Sequence, residues 1–364
     1  MKSTCYSELC PNVAGVAQFG LVHSAKCPWM IDELNRLVRL HYDSCAYYRH
    51  LLDILYGGAV QYKTIESIPY IPVRLFKHYE LLSVPRDKVV KTMTSSGTSG
   101  QNISMIFLDK LTSSLQIKVL ASIVTNFVGM HRLPMLVIDC PSIISNRLKF
   151  SARTAGILGF SMFGRDVVYA LNDDMELDTD RVNSFLQRHD TKDILVFGFT
   201  AIVWEHLVLQ LESTQSTLPL NRCILIHGGG WKKLLSLSVS SDEFKVRLAK
   251  STGISRVHNY YGMVEQTGSI FMECEFGQLH SSNFSDIVIR NPLDFSVCKV
   301  GEPGLIQLLS VIPHSYPGHS ILSEDVGSYS GVDDCPCGRF GKYFKVHGRM
   351  TNAEVRGCSD TYSR

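Results

Sequence analysis

Between Met30 and Tyr56 the apolar positions recur at helical spacing: Ile31, Leu34, Leu37, Val38 and Leu40, then Tyr47, Tyr48, Leu51 and Leu52. Such spacing lines one face of a helix with apolar groups and predicts a helical segment. Helices are also predicted at 115–128 and 202–211. Between them the pattern changes to short continuous apolar runs: Met135 to Asp139, Ile194 to Gly198 and Cys223 to His227. Runs of that length read as strands buried on both faces. Residues 67–73 read as extended, because Pro69 and Pro72 each push the preceding residue out of the helical region. Short apolar strands alternating with helices predict an α/β fold with a largely parallel sheet. Ligands of such folds gather at the carboxyl ends of the strands, where Gly198 and Gly228 to Gly230 stand. After about Ile287 the texture becomes short strands and turns, as in Val300 to Leu308. The expected division is an α/β core at 1–286, a β-rich subdomain at 287–348 and a short tail at 349–364.

Composition narrows the class. The 364 residues are 45% hydrophobic and 19% charged, ordinary for a globular enzyme. Lys plus Arg is 36 against 34 Asp plus Glu, so the net charge of +2 gives no reason to expect nucleic acid. No uninterrupted apolar run reaches the roughly 20 residues of a membrane span, and Met1 to Gly15 lacks the apolar core of a secretory signal. A cytoplasmic location with no membrane span is the expectation. The 11 cysteines are odd in number and scattered, against a disulfide framework.

Chemistry-bearing residues occur as four segments in order. The first is Thr94-Ser95-Ser96-Gly97-Thr98-Ser99-Gly100. Its glycines let the backbone approach an anion, and its hydroxyls donate hydrogen bonds to phosphate oxygens. It is not a P-loop, since the Gly-Lys-Ser/Thr ending is missing. The second is His227-Gly228-Gly229-Gly230-Trp231-Lys232, at a strand end. The third is Asn259-Tyr260-Tyr261-Gly262-Met263-Val264-Glu265-Gln266, and the fourth Ser323-Glu324-Asp325-Val326-Gly327, followed by Gly348-Arg349. No Gly-x-Ser-x-Gly elbow is present, against a serine hydrolase. A non-catalytic partner that keeps a nucleotide pocket is a further reading.

Taken in order, and with Ile68 to Lys77 upstream, these segments resemble the adenylate-forming enzymes, most closely the acyl-protein synthetases of the bacterial luciferase operon. The resemblance covers about residues 30 to 364. It implies the N-terminal-domain fold of those enzymes and ATP-dependent conversion of a carboxylic acid, with a fatty acid expected, to an acyl-adenylate. By the resemblance, Thr94 to Gly100 grip the phosphates and Glu265 holds Mg²⁺. Gly228, Gly229, Gly230, Tyr261 and Gly262 flank the adenine. Asp325 binds the ribose and Arg349 helps near the ribose or phosphates. Two departures stand out. Gln101 and Asn102 replace the Pro-Lys that usually follows the last glycine of the phosphate loop, leaving Lys232 as a candidate substitute. Without the mobile C-terminal domain and catalytic lysine that such ligases carry, the expectation is a short tail, Gly357-Cys358-Ser359-Asp360-Thr361-Tyr362-Ser363-Arg364. The luciferase-operon synthetases likewise end soon after a Gly-Cys whose cysteine carries the acyl group. Cys358 is therefore the expected acyl acceptor, with Arg356 nearby to favour its thiolate. The expected partner is an acyl reductase or an acyl carrier protein. The alternative within the superfamily is an acyl- or aryl-CoA ligase of the phenylacetate type.

Cys274 and His280, followed far along by Cys335 and Cys337, form two soft pairs separated by a long insertion, one way to build a tetrahedral structural Zn²⁺ site. The segment Cys335-Pro336-Cys337-Gly338-Arg339 also resembles the phenylacetate–CoA ligase branch, some members of which bind zinc through such an arrangement. Cys140 and Cys223, in apolar strands, are expected to be core.

Overall fold

The apolar stripe around residues 30–56 belongs to two helices rather than one. The computed structural model of the protein describes residues 16–95, 103–145, 152–231, 238–266 and 268–350. Helix α1 (His23–Ser44) starts seven residues before the stripe, and α2 (Ala46–Tyr56) follows a break at Cys45, whose backbone is extended. The early start escapes the periodicity because an inward position of its second turn is a charge: Lys26 is 1% exposed. Gly57, left-handed at φ 72°, closes α2, a conformation that costs glycine little.

The strands are β1 (Ile71–Pro72), β2 (Val89–Thr94), β3 (Met105–Asp109), β4 (Leu133–Val137), β5 (Gly164–Tyr169), β6 (Ile194–Phe199), β7 (Cys223–Gly228), β8 (Arg256–Tyr261), β9 (Phe271–Glu273), β10 (Leu279–His280), β11 (Ser285–Arg290), β12 (Pro303–Ser310), β13 (Ser320–Val332) and β14 (Lys342–Arg349). The chain divides into two units. The described residues of the first lie in 16–95, 103–126 and 262–350, and those of the second in 127–261.

The second unit is the predicted α/β arrangement. Its sheet runs β5-β4-β6-β7-β8, every pairing parallel. β6 and β7 are buried throughout, which is why their sequences read as unbroken apolar runs. Cys223 is 1% and Cys140 7% exposed, so both are buried as expected. The helical stretch after β6 starts at Thr200 and includes a π-helical segment, Trp204–Leu209.

In the first unit β9 to β14 form an antiparallel sheet in the order β11-β12-β13-β14-β10-β9. β1 adds to β13 in parallel, and β2 and β3 form a separate two-stranded ladder. The boundary expected at residue 287 falls inside β11, and the β-rich part also takes in α1, α2 and the 103–126 segment. Long-range packing of N-terminal helices on C-terminal strands decides this, and no local composition shift marks it. Helix α3 (Lys110–Val128) is long and apolar enough to cross a membrane. Its Leu115, Val119, Ile123, Val124 and Val128 are buried in the protein.

Candidate active site and metal centre

In the second unit Gly228 ends β7 and Tyr261 ends β8, so the two segments expected to flank a base stand at carboxyl ends of parallel strands. Gly228 lies opposite Tyr260, and a Cβ there would sit 2.7 Å from ring atoms Cδ1 and Cζ. Gly229 has φ 81° and its Cβ would approach Phe199 at 3.1 Å. These glycines are therefore dictated by the backbone turn and by close aromatic packing. His227 is buried, accepts or donates at Nδ1 to Thr200 Oγ1 (2.9 Å), and is pushed down to about 3 by burial. It is a neutral strand-end residue. Lys232 lies outside the described residues.

Thr94, Gly262, Glu265, Asp325 and Arg349 lie in the first unit, as does Ser95. Thr94 ends β2 opposite Met105, and Ser95 closes the ladder: its N–H donates to Ser104 O (3.1 Å) and its Oγ accepts from Ser104 N–H (2.9 Å). The hydroxyl segment thus connects two antiparallel strands. Ser96, Gly97, Thr98, Ser99 and Gly100 lie outside the described residues, as does Cys358. Glu265 sits in a 3₁₀ turn (Val264–Gln266) and is 3% exposed. That turn is held by Gln266, whose Nε2 donates to Leu308 O and Gly318 O at 3.1 Å each. Gly262 approaches Ile270, where a Cβ would meet Cγ2 at 3.0 Å.

Asp325 on β13 is the register partner of Arg349 on β14, and Arg349 Nε lies 3.4 Å from Asp325 Oδ1. Twenty-four positions apart in sequence, the residue expected at the ribose and the one expected near the ribose or phosphates are brought side by side. Glu324, 8% exposed, pairs with Arg74 and lies 3.9 Å from Arg349. Neither Glu324 nor Arg74 was singled out from sequence, although both stand in the motifs that carry the resemblance.

Cys274, His280, Cys335 and Cys337 come together, their ligand atoms all within 4.8 Å of one another. Cys274 and His280 flank the tight connection between β9 and β10, and Cys335 and Cys337 lie in a turn closed by Gly338 N–H to Cys335 O (3.0 Å). Cys274 Sγ is 3.8 Å from Cys335 Sγ, and Cys337 Sγ is 3.3 Å from His280 Nε2. Two ligands on a tetrahedral zinc, with Zn–S near 2.3 Å and Zn–N near 2.05 Å, stand about 3.8 Å (S···S) and about 3.5 Å (S···N) apart. A disulfide would need sulfurs about 2.05 Å apart. Arg339 N–H points at Cys337 Sγ (3.5 Å), a backbone donor that suits a thiolate. Burial pushes the Cys335 thiol up to about 12, raises Cys274, and lowers the His280 imidazole to about 4. The imidazole is thus in its ligand form at neutral pH, and the thiols need a cation to ionise.

The fold is that of the adenylate-forming ligases. Among solved structures, 2-hydroxyisobutyryl-CoA ligase with 2-HIB-AMP and CoA superimposes with TM-score 0.70 over 91% of this chain and 69% of that one, at 14% identity. An open conformation of that ligase gives 0.67 over 91% and 76%. The chain belongs to the family described as acyl-protein synthetase, LuxE, whose model matches residues 8–364, and it is a ligase of the acyl-adenylate-forming kind. Long-chain-fatty-acid–luciferin-component ligase of Vibrio harveyi is 23% identical over 360 residues, 92% of this chain and 90% of the relative. The Aliivibrio fischeri protein of that name is 23% identical over 357 residues, 91% and 89%.

Proposed function

We propose that the protein is an ATP-dependent acyl-protein synthetase that activates a fatty acid and passes the acyl group to its own Cys358. The observation that carries the reading is the Asp325–Arg349 pair, a part-exposed carboxylate and guanidinium on adjacent strands at the two motifs assigned to the ribose. Its substrate class follows the names of the two bacterial relatives.

In the first half-reaction the acid's carboxylate attacks the α-phosphorus of ATP, and the bond to pyrophosphate breaks. Thr94 to Gly100 hold the phosphates, Asp325 accepts hydrogen bonds from the ribose hydroxyls, and Arg349 both orients that carboxylate and counters phosphate charge. Gly228, Gly229, Gly230, Tyr261 and Gly262 leave the flat space the adenine needs. Glu265 is the oxygen donor for Mg²⁺, which when bound offsets the charge developing on the phosphates. In the second half-reaction the Cys358 thiolate attacks the acyl carbonyl and AMP leaves. An acyl reductase or acyl carrier protein then takes the thioester. A structural Zn²⁺ on Cys274, His280, Cys335 and Cys337 ties the β9–β10 connection to the turn before β14; the sulfur and nitrogen spacings support it.

The test is intact-protein mass after incubation with ATP, Mg²⁺ and a panel of fatty acids, for wild type and Cys358→Ser. A hydroxylamine-labile acyl adduct on the wild type alone is the expected result. Adduct formation in Cys358→Ser at the wild-type level would remove that cysteine from its role. Acyl-CoA formation on adding CoA, with no protein adduct, would favour the CoA-ligase alternative.

A further inference from the structure

The start of α1 carries a second cluster of reactive groups, outside everything assigned above. His23 and Cys27 stand one helical turn apart, so their side chains share a face. Cys27 Sγ is 3.1 Å from His23 Nε2. The other ring nitrogen, Nδ1, faces the Asp286 carboxylate of β11 at 3.7 Å. Asp286 is fully buried, and its Oδ2 accepts no hydrogen bond from the described residues. Two ammonium groups compensate its charge: Lys26 Nζ is 3.3 Å from Oδ2 and Lys342 Nζ 3.4 Å from Oδ1. Lys26 also donates to Ser282 O and Ser285 O, and Lys342 to Ile287 O, so both are held in place. The His23 backbone N–H donates to both oxygens of Asp333 (2.8 and 3.1 Å), which fixes the helix start.

Nε2 of the imidazole thus meets the sulfur, while Nδ1 makes no hydrogen bond among the described residues and faces the carboxylate across 3.7 Å. One ligand atom from each of His23, Cys27 and Asp286 lies within 4.8 Å of the other two, but a cation there would compete with two ammonium groups for the carboxylate. The 3.1 Å contact of sulfur and Nε2 instead matches a nucleophile and its base, with a carboxylate facing the base's other nitrogen. Within the first unit the cluster is also remote from Arg349. Lys342 and Arg349 stand at opposite ends of β14, seven residues and about 20 Å of extended chain apart.

We propose that Cys27 is a second nucleophilic thiol of this protein, with His23 as its base and the Asp286 carboxylate as the charge that faces the base's far nitrogen, and that it accepts acyl groups from thioesters. The choice of an acyl electrophile rests on the acyl-transfer reading above; the Cys27–His23 pair itself rests on geometry alone. As Cys27 sulfur attacks the thioester carbonyl, its proton passes to His23 Nε2. A C–S bond forms, the donor's C–S bond breaks, and the leaving thiolate takes the proton back from the imidazolium. One thioester is exchanged for another with no redox change. His23 is 23% exposed and Cys27 half-buried, so a donor can reach the pair.

The resting pair is neutral. Burial pushes the Cys27 thiol up to about 11, with Asp286 and Glu66 acting in the same direction and Lys26 and Lys342 against it. Burial lowers the His23 imidazole, aided by Lys342 and Lys26 and opposed by Asp286 and Asp333. Proton transfer from thiol to imidazole therefore accompanies the attack, as in a serine triad, and no standing thiolate is needed.

The test uses full-length protein and the octanoyl thioester of N-acetylcysteamine without ATP, read by intact mass and peptide mapping. A hydroxylamine-labile adduct on the Cys27 peptide is expected in wild type and Cys358→Ser and absent from Cys27→Ser. His23→Gln should acylate Cys27 at least about tenfold more slowly at pH 7, within the usual range for loss of a general base. Wild type provides a check that needs no variant. Its acylation rate should level off between pH 6.5 and 8, where the imidazole is neutral, instead of climbing tenfold per pH unit as a free thiol would. No adduct at Cys27, equal rates in wild type and His23→Gln, or a tenfold-per-unit climb would each overturn the proposal. ATP–pyrophosphate exchange, measured in parallel, separates it from the adenylation reading. Exchange without Cys27 acylation overturns this inference alone, and acylation without exchange overturns the adenylation reading alone.

Discussion

Acid should destabilise the first unit through a group of buried histidines, in amounts the structure allows to be worked out. His41 and His319 are both 0% exposed and stack with ring centroids 5.0 Å apart. His41 spends Nδ1 on Ser83 Oγ (2.8 Å) and Nε2 on Pro313 O (3.1 Å), and His319 Nε2 meets the Tyr48 hydroxyl at 3.2 Å. His314, nearby in sequence, is 7% exposed and has the Arg36 guanidinium on Nε2 at 2.7 Å, so it accepts there and donates from Nδ1 to Ile312 O. Burial pushes His319 down to about 3 and His41 well below its usual range, and it also lowers His314. Each ring is neutral when folded and protonates near 6.5 when unfolded. Below 6.5 the unfolded chain therefore binds protons that the folded one refuses, and stability falls as pH falls toward 3. From pH 7.5 to 5.0, His319 alone spans about 1.5 pKa units of this window, about 2 kcal/mol at about 1.4 kcal/mol per unit. His41 and His314 act in the same direction. Asp286, held down to about 2 chiefly by Lys26 and Lys342 against the opposing effect of burial, contributes stability above about pH 4 and loses it only below, outside the window. Urea unfolding of wild type and His319→Gln at the two pH values checks this. The variant should be less stable at pH 7.5, because packing is lost, yet should lose about 2 kcal/mol less than wild type on acidification. Equal losses would mean that the ring titrates normally, and would refute the argument.

Three further outcomes are expected. Protein purified without added metal should carry about one zinc per chain, and chelation should lower its melting temperature; zinc far below one per chain with no loss of stability on chelation would sink the site. Asp325→Asn should reduce ATP–pyrophosphate exchange by an order of magnitude or more with the thermal midpoint little changed, since the carboxylate is part-exposed beside Arg349; unaltered exchange would take the ribose contact away from it. Gly228→Ala should cost about 1–3 kcal/mol, because its Cβ must displace the Tyr260 ring, itself packed on Phe160 at 5.1 Å; an unchanged urea midpoint would show that the ring has room to move.

The Cys27 cluster shows what local reading misses. Its only sequence signal is the spacing of His23 and Cys27, four residues apart, which is common and uninformative by itself. Asp286 and Lys342 reach it from more than 250 positions away, and no one-dimensional pattern marks that approach. Glu324 and Arg74 are likewise 250 apart.

What the sequence by itself determined was whatever depends on neighbours along the chain. The runs at 194–198 and 223–227 are strands because a strand buried on both faces needs unbroken apolar side chains. The glycines at 228 and 229 mark a turn at a strand end because Gly228 faces the Tyr260 ring and Gly229 takes a left-handed backbone beside Phe199. The ordered motifs from Thr94 to Arg349 pointed to the family that the chain proved to belong to. Tertiary structure decided the rest. It divided the chain through 126–127 and 261–262 instead of at 287, set Asp325 against Arg349, and gathered Cys274, His280, Cys335 and Cys337 within ligand distance. It also folded a lysine inward at the start of α1. The physical reason is common to these cases: strand pairing and burial act between residues far apart in sequence, and a charge goes inside only where a distant opposite charge compensates it.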